Sequence, residues 1–157
     1  MTSISTCLWF ATEAEEAARF YAATIPGGRM GEVLRTPPGG PGPEGSVLLA
    51  LFEIGGQPFM ALNGNPGDAF TNAISLVATC ADQAELDRVW DALLVGGSPI
   101  ACGWLKDRHG VAWQVVPDGL MDLLAGADAA GRSRFMAAMQ SMVKLDIAAL
   151  RAAVAAA

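Results

Sequence analysis

Three cysteines, one histidine and a scatter of serines and amides are the side chains of this sequence best placed to do chemistry. Cys7 and Cys102 offer thiols, but a thiol of ordinary pKa needs a neighbouring base or cation to become a nucleophile, and none is apparent; a buried small hydrophobe is the plainer role. His109 lies between Arg108 and Gly110 in a stretch that reads as a hairpin turn, which favours a solvated turn over a catalytic base. Trp9 and Trp104 could wall a site for a flat ligand, with core packing as the rival role. Asn63 and Gln114 could orient a ligand by hydrogen bonds, with a bond to a backbone group as the rival. Glu13, Glu15, Glu16, Glu85 and Asp87 fall on helix surfaces as capping or solvated charges.

These residues sit on a pattern that occurs twice. Ile4 to Phe10 reads as a strand, and Thr12-Glu13-Ala14-Glu15 matches a capping box. The helix that follows carries Ala17, Phe20, Tyr21 and Thr24 near helical spacing and ends before Pro26-Gly27-Gly28. In the second copy Ile74 to Thr79 reads as a strand and Asp82-Gln83-Ala84-Glu85 as the cap. Leu86, Val89, Trp90 and Leu93 form the apolar stripe, and Gly96-Gly97 ends the helix.

Further strands follow each helix, roughly 29–35, 47–53 and 58–63 in the first half and 99–102, 104–107 and 111–116 in the second. Ile54-Gly55-Gly56-Gln57 and Arg108-His109-Gly110-Val111 occupy equivalent turns. The Pro/Gly-rich residues 36–45 read as a lid or a long hairpin connection, with a domain linker as the alternative. Each half is thus βαβββ, a curved four-stranded sheet with a helix on one face and the other face free. The expected fold is α+β: two βαβββ modules forming curved mixed sheets around a cleft, with C-terminal helices. Module 1 covers about 4–64, module 2 about 73–117 and the C-terminal helices about 118–157, within one domain, 1–157. In the tail, 118–124, 129–142 and 145–157 read as helical. Phe135, Met139 and Met142, with Met136 beside them, are expected to pack against the sheet; a ligand box and a dimer contact are the alternatives.

Composition narrows the function. Of the 157 residues 52% are hydrophobic and 17% charged, which argues for an ordered core. A net charge of −6 without a basic cluster argues against nucleic acid or an anionic membrane as partner. No apolar run is long enough to span a bilayer, and Met1-Thr2-Ser3-Ile4 lacks the start of a secretory signal. Cys7, Cys80 and Cys102 form neither a Cys-x-x-Cys pair nor a disulfide framework, so a reducing, cytoplasmic setting is expected.

With the duplication in view, the chain resembles the vicinal oxygen chelate superfamily of glyoxalases, extradiol dioxygenases and bleomycin-resistance proteins. It is most similar to the PhnB-like branch described as 3-demethylubiquinone-9 3-methyltransferase-like. The resemblance rests on residues 7–10, 14–17 with Phe20-Tyr21, 56–64, 102–117 and 143–147. It implies a metal held by one residue from the first and one from the last strand of each half, usually His, Glu or Gln, which polarises vicinal oxygens of a substrate. It also implies a homodimer.

The repeat places Ser5, Met60, Ser75 and Gln114 at those four positions, and period-two alternation turns Ser5, Cys7, Trp9, Ala112, Gln114 and Val116 toward the cleft. A thioether, two hydroxyls and an amide are weak ligands for a divalent metal. The first strand–helix turn, Ala11-Thr12-Glu13, lacks the glycines of a nucleotide-type loop, so methyl transfer rests on the resemblance alone. The expectation is a small-molecule-binding protein with no metal and no cofactor, holding an aromatic or amphipathic ligand among Ser5, Cys7, Trp9, Met60, Asn63, Ser75, Trp104 and Gln114. The alternatives are an enzyme of the same fold, either methyltransferase-like or a metal-dependent glyoxalase or dioxygenase type.

Overall fold

A computed structural model describes residues 2–156. The chain divides into two compact units, Met1–Ala69 and Phe70–Ala157. The first contains β1 (Thr6–Phe10), α1 (Ala14–Thr24), β2 (Arg29–Arg35), β3 (Val47–Ile54) and β4 (Gln57–Asn63). The second contains β5 (Leu76–Cys80), α2 (Gln83–Leu94), β6 (Ser98–Pro99), β7 (Trp104–Lys106), β8 (Ala112–Pro117), α3 (Leu120–Gly126), α4 (Ala129–Ser141) and α5 (Ile147–Ala155). The expected last helix reaches Ala157, which lies outside the described residues. Each unit is βαβββ. The sheet orders are β1-β4-β3-β2 and β5-β8-β7-β6, with the first and last strands of each unit parallel and the other pairs antiparallel. Among the described residues no helix is long and apolar enough to cross a membrane.

Alternation along the strands sorts each sheet into two faces. In the first unit Leu8, Phe10, Ala50, Phe52, Ile54, Phe59 and Ala61 are buried under α1, which contributes Ala14, Ala17, Ala18 and Tyr21. Phe52 stacks on Phe59 with ring centres 5.2 Å apart, and Tyr21 lies 6.0 Å from Phe52. In the second unit the expected stripe Leu86, Val89, Trp90 and Leu93 is buried against Leu105, Trp113 and Val115.

The two helices start differently. At α2 the Asp82 carboxylate accepts from Glu85 N at 2.8 Å and the Glu85 carboxylate accepts from Ala81 N at 2.7 Å, the reciprocal cap that the sequence predicts. At α1 the expected Thr12–Glu15 box does not form. Asn63, at the end of β4, accepts from Ala14 N at 2.8 Å, and Glu15 is drawn to Arg19 and Arg35 instead. An amide from a neighbouring strand outcompetes the local hydroxyl because β1 and β4 run in register to Phe10 and Asn63.

The hairpin turns also differ. Gly55 and Gly56 both have positive φ, at 56° and 74°, making a two-residue turn whose twist matches its strands. The 107–111 turn carries an extra residue: Gly110 N donates to Asp107 O, Asp107 N donates to Val111 O, and Gly110 alone takes positive φ, at 84°. His109 is half-buried in this turn rather than solvated.

Asp107 holds the turn from inside. Its side chain is 3% exposed. One carboxylate oxygen accepts from His109 N at 2.8 Å and Val111 N at 3.1 Å, and the other from Trp113 Nε1 at 2.8 Å. The loop at 36–45 is an ordered hairpin connection. Thr36 N donates to Ser46 O, Gly45 N donates to Thr36 O, and the Thr36 and Ser46 hydroxyls lie 3.1 Å apart.

In the tail, α4 packs on α5, where the expectation was the sheet. Phe135 is buried, Met136 is exposed, and Arg134 donates to the terminal carbonyls of α5 at Ala153 and Val154. The connecting segment docks on the module. Cys102 N and Gly103 N donate to Met142 O and Val143 O, each at 2.8 Å. Gln83 donates to Leu145 O and accepts from Ile147 N, and Lys144 pairs with Asp87 at 2.9 Å. This docking holds Cys102 at a φ of 62°, a conformation that costs a non-glycine residue about 1 kcal/mol.

Replacing Asp107 strands three donors, two of them buried and the His109 N–H partly so. Asp107→Ala is expected to lower unfolding stability by about 4 kcal/mol. Asp107→Asn keeps one acceptor but sets an amide donor against the indole, and is expected to cost about 2 kcal/mol. Urea unfolding followed by tryptophan fluorescence measures both; equal, small losses would contradict the clamp.

Candidate functional site

The face of each sheet turned away from its helix is where a ligand could lie. In the second unit pairing sets Val77, Gln114 and Trp104 side by side across β5, β8 and β7. Thr79 and Val116 form the next row on one side. Lys106 and Ala112 form the next row on the other. Val77 is 57% exposed, and Gln114, Trp104 and Lys106 are half-buried.

Gln114 Nε2 donates to Ser75 Oγ at 2.9 Å, so the two residues expected at equivalent positions of the second half do come together. Their side chains make no other hydrogen bond among the described residues. The pair therefore offers a ligand the Gln114 carbonyl oxygen as acceptor and the Ser75 hydroxyl as donor, set between a valine and a tryptophan. Ala112 shares the parity of Gln114 but is buried, so it adds no accessible surface.

Lys106 is the residue that sequence reasoning passed over. Most basic side chains are engaged: Arg19, Arg29, Arg35, Arg88 and Lys144 in ion pairs, Arg132 and Arg134 on helix carbonyls. The Lys106 ammonium has neither hydrogen bond nor ion pair among the described residues. Its position two residues after Trp104 was the available signal, because alternation puts both on one face.

The first unit presents an apolar face. Cys7, Met60 and Leu51 form one row, and Trp9, Leu62, Leu49 and Leu34 the next. Trp9 is 43% exposed. A β-carbon on Gly64 would come within 2.7 Å of Trp9 Nε1, so only glycine lets the indole lie this close to the chain. Ser5 is exposed just before β1, off the strand itself.

Asn63 is committed to backbone: besides its bond from Ala14 N, its Nδ2 donates to Thr12 O at 3.1 Å and Val47 O at 3.0 Å. That is the structural role weighed against ligand binding. With Thr12, Pro41, Pro43, Leu48 and Gly64 it lines a cavity of about 320 Å³ beneath the 36–45 loop.

Two of the thiols, Cys80 and Cys7, are poorly activated. Burial pushes the Cys80 thiol up to about 11, with Glu85 adding to it. Partial desolvation against the sheet also raises Cys7 above its ordinary value. Cys102 stands in the strained corner before β7, where Met142 O takes its backbone N–H.

These features define a class: duplicated βαβββ units with a free sheet face, the glyoxalase fold of the vicinal oxygen chelate proteins. Residues 2–116 match the family model described as 3-demethylubiquinone-9 3-methyltransferase. The chain belongs to that PhnB-like family. Among solved structures it is similar to a Bacillus cereus protein described as a 3-demethylubiquinone-9 3-methyltransferase, PhnB protein, at 34% identity and TM-score 0.67, covering 73% of this chain and 99% of that one. A Pseudomonas aeruginosa protein shares the fold at 24% identity and TM-score 0.62, covering 75% and 100%. So does the fosfomycin resistance protein FosX of Mesorhizobium loti, at 14% identity and TM-score 0.55, covering 79% and 97%. No curated protein matches.

The metal that the fold family implies does not suit these residues. The repeat assigns Ser5, Met60, Ser75 and Gln114 to the four metal positions, and no group of three or more His, Cys, Asp or Glu side chains could hold an ion among the described residues.

Thiol labelling checks the electrostatics. In the folded protein Cys80 is expected to resist iodoacetamide at mildly alkaline pH and Cys7 to react more slowly than a free thiol, because both hold their protons past the usual range. Mass spectrometry after timed quenching reads both; rapid labelling of Cys80 without unfolding would contradict the assignment.

Proposed function

We propose that this chain is a small-molecule-binding protein of the glyoxalase fold that works without a resident metal, and that its ligand is aromatic or amphipathic. The observation that carries the reading is the Gln114–Ser75 hydrogen bond in its row with Val77 and Trp104. Where the family places metal ligands, this unit has a neutral donor–acceptor pair beside an aromatic wall. Such a pair recognises a polar edge on a flat body, and the apolar surroundings receive the rest.

The ligand-facing set in this reading is Ser75, Trp104 and Gln114, with Cys7, Trp9 and Met60 on the apolar face of the first unit. Ser5 lies at the margin of that face. Asn63 leaves the set, since its amide is occupied. The free thiols fit a reducing, cytoplasmic setting. Exposed apolar residues such as Trp9 and Val77 on strands, and Ile74 just before β5, fit a homodimer that covers them. Methyl transfer is the second reading, favoured by the family match. Binding of S-adenosylmethionine with transfer to a quinol would replace the binding-protein reading.

Titration with 4-hydroxybenzamide, a neutral flat probe with both donor and acceptor, is expected to quench tryptophan fluorescence saturably. Gln114→Leu and Trp104→Ala are each expected to weaken binding by about tenfold, the equivalent of one good polar or aromatic contact. Unchanged affinity in both variants would overturn the site, and stoichiometric zinc, nickel or manganese retained through purification would overturn the metal-free reading. Light scattering is expected to give twice the 16.2 kDa chain mass; a monomer at micromolar concentration would count against pairing.

A further inference from the structure

Within the proposed binding face, Lys106 adds a second specificity that no comparison assigns. It occupies the row next to Gln114 and Trp104, on the same side of β7 as Trp104. Leu105, between them, is fully buried on the helix side, which fixes this alternation. The residue is half-buried, and its ammonium has no hydrogen bond or ion pair among the described residues. A half-desolvated cation without a partner gives up hydration for no internal bond, and an anion brought beside it restores the balance.

We infer that the open face of the second sheet selects an aromatic carboxylic acid. Lys106 takes the carboxylate, the ring lies along Trp104, and the Gln114–Ser75 pair reads a hydroxyl or amino substituent at the far end. Spacing sets the size. Neighbouring rows on the face lie about 7 Å apart along the strands, a spacing that a single aromatic ring with a polar group at each end can bridge. Among the described residues these rows carry no carboxylate: they hold Val77, Thr79, Ser98, Trp104, Lys106, Ala112, Gln114 and Val116, with Ser75 beside Gln114. An acidic ligand therefore meets only the one charge, and that charge is of opposite sign.

This inference rests on the proposed binding face, and three probes separate the two claims. 4-Hydroxybenzoate has the acid and the hydroxyl, benzoate lacks the hydroxyl, and 4-hydroxybenzamide lacks the charge. By calorimetry the protein is expected to bind 4-hydroxybenzoate about tenfold more tightly than either of the others, each of which forgoes one polar contact. Lys106→Met is expected to remove the advantage of the acid and leave the amide unchanged, while Lys106→Arg retains it. Added salt is expected to weaken the acid alone. Because Lys106 is on the solvent side of its strand, the melting temperature of Lys106→Met should match the parent and exclude misfolding.

Equal affinity for acid and amide in the parent, or full affinity for the acid in Lys106→Met, would overturn the role of Lys106 and leave the binding face standing. Failure to bind any of the three probes would overturn both.

Discussion

The buried carboxylate of Asp107 is the constraint on which the second unit turns. It accepts from two backbone N–H groups of its own turn and from the indole of Trp113, six residues on. One side chain thus closes the hairpin and fixes which face of β8 enters the core. With Trp113 held under α2, alternation leaves Gln114 no choice but the open face, in the row of Trp104 and Val77. A slip of one residue would bury the amide and expose the tryptophan. The placement of Gln114 on the open face, on which the proposed ligand site rests, therefore depends on a hydrogen bond made on the opposite side of the sheet.

The duplication uses one backbone plan for two chemistries. Both units have the same strand order and the same parallel pairing of first and last strands. Their open faces differ. The first presents leucines, Met60, Cys7 and Trp9, and the second presents an amide–hydroxyl pair, a tryptophan and a lysine. The turns differ too, and for a physical reason. The first is closed by two glycines with positive φ, while the second needs one glycine because Asp107 supplies the bonds that hold it. Where the family model ends, at residue 116, the tail continues as helices pinned through Gln83, Lys144 and the Cys102 corner.

Most of the fold was legible because alternation and helical spacing report local geometry. The stripe Leu86, Val89, Trp90 and Leu93 was read residue for residue, as were the bounds of β2. So was the Asp82–Glu85 cap, whose partners lie within one turn. The first cap was not legible, since Asn63 reaches Ala14 from 49 positions away and nothing near Thr12 announces it. The stripe on α4 was visible, but an apolar stripe does not name its partner, and α5 took the place assigned to the sheet. In the site, the repeat singled out Ser75 and Gln114, whose side chains meet in the structure. It drew attention to the four metal positions and not to Lys106, whose first-half counterpart is Glu53, so the lysine on this face emerged from the strand pairing.

The account stands on Gln114 serving an organic ligand where related folds place a metal ligand. The most direct test is the side-chain amide signal of Gln114 in a nitrogen–proton correlation spectrum during titration with 4-hydroxybenzoate. The account predicts a saturable shift of that signal together with the Trp104 indole. A Gln114 signal that stays fixed while the probe binds elsewhere, or that is selectively broadened by stoichiometric manganese, would contradict it.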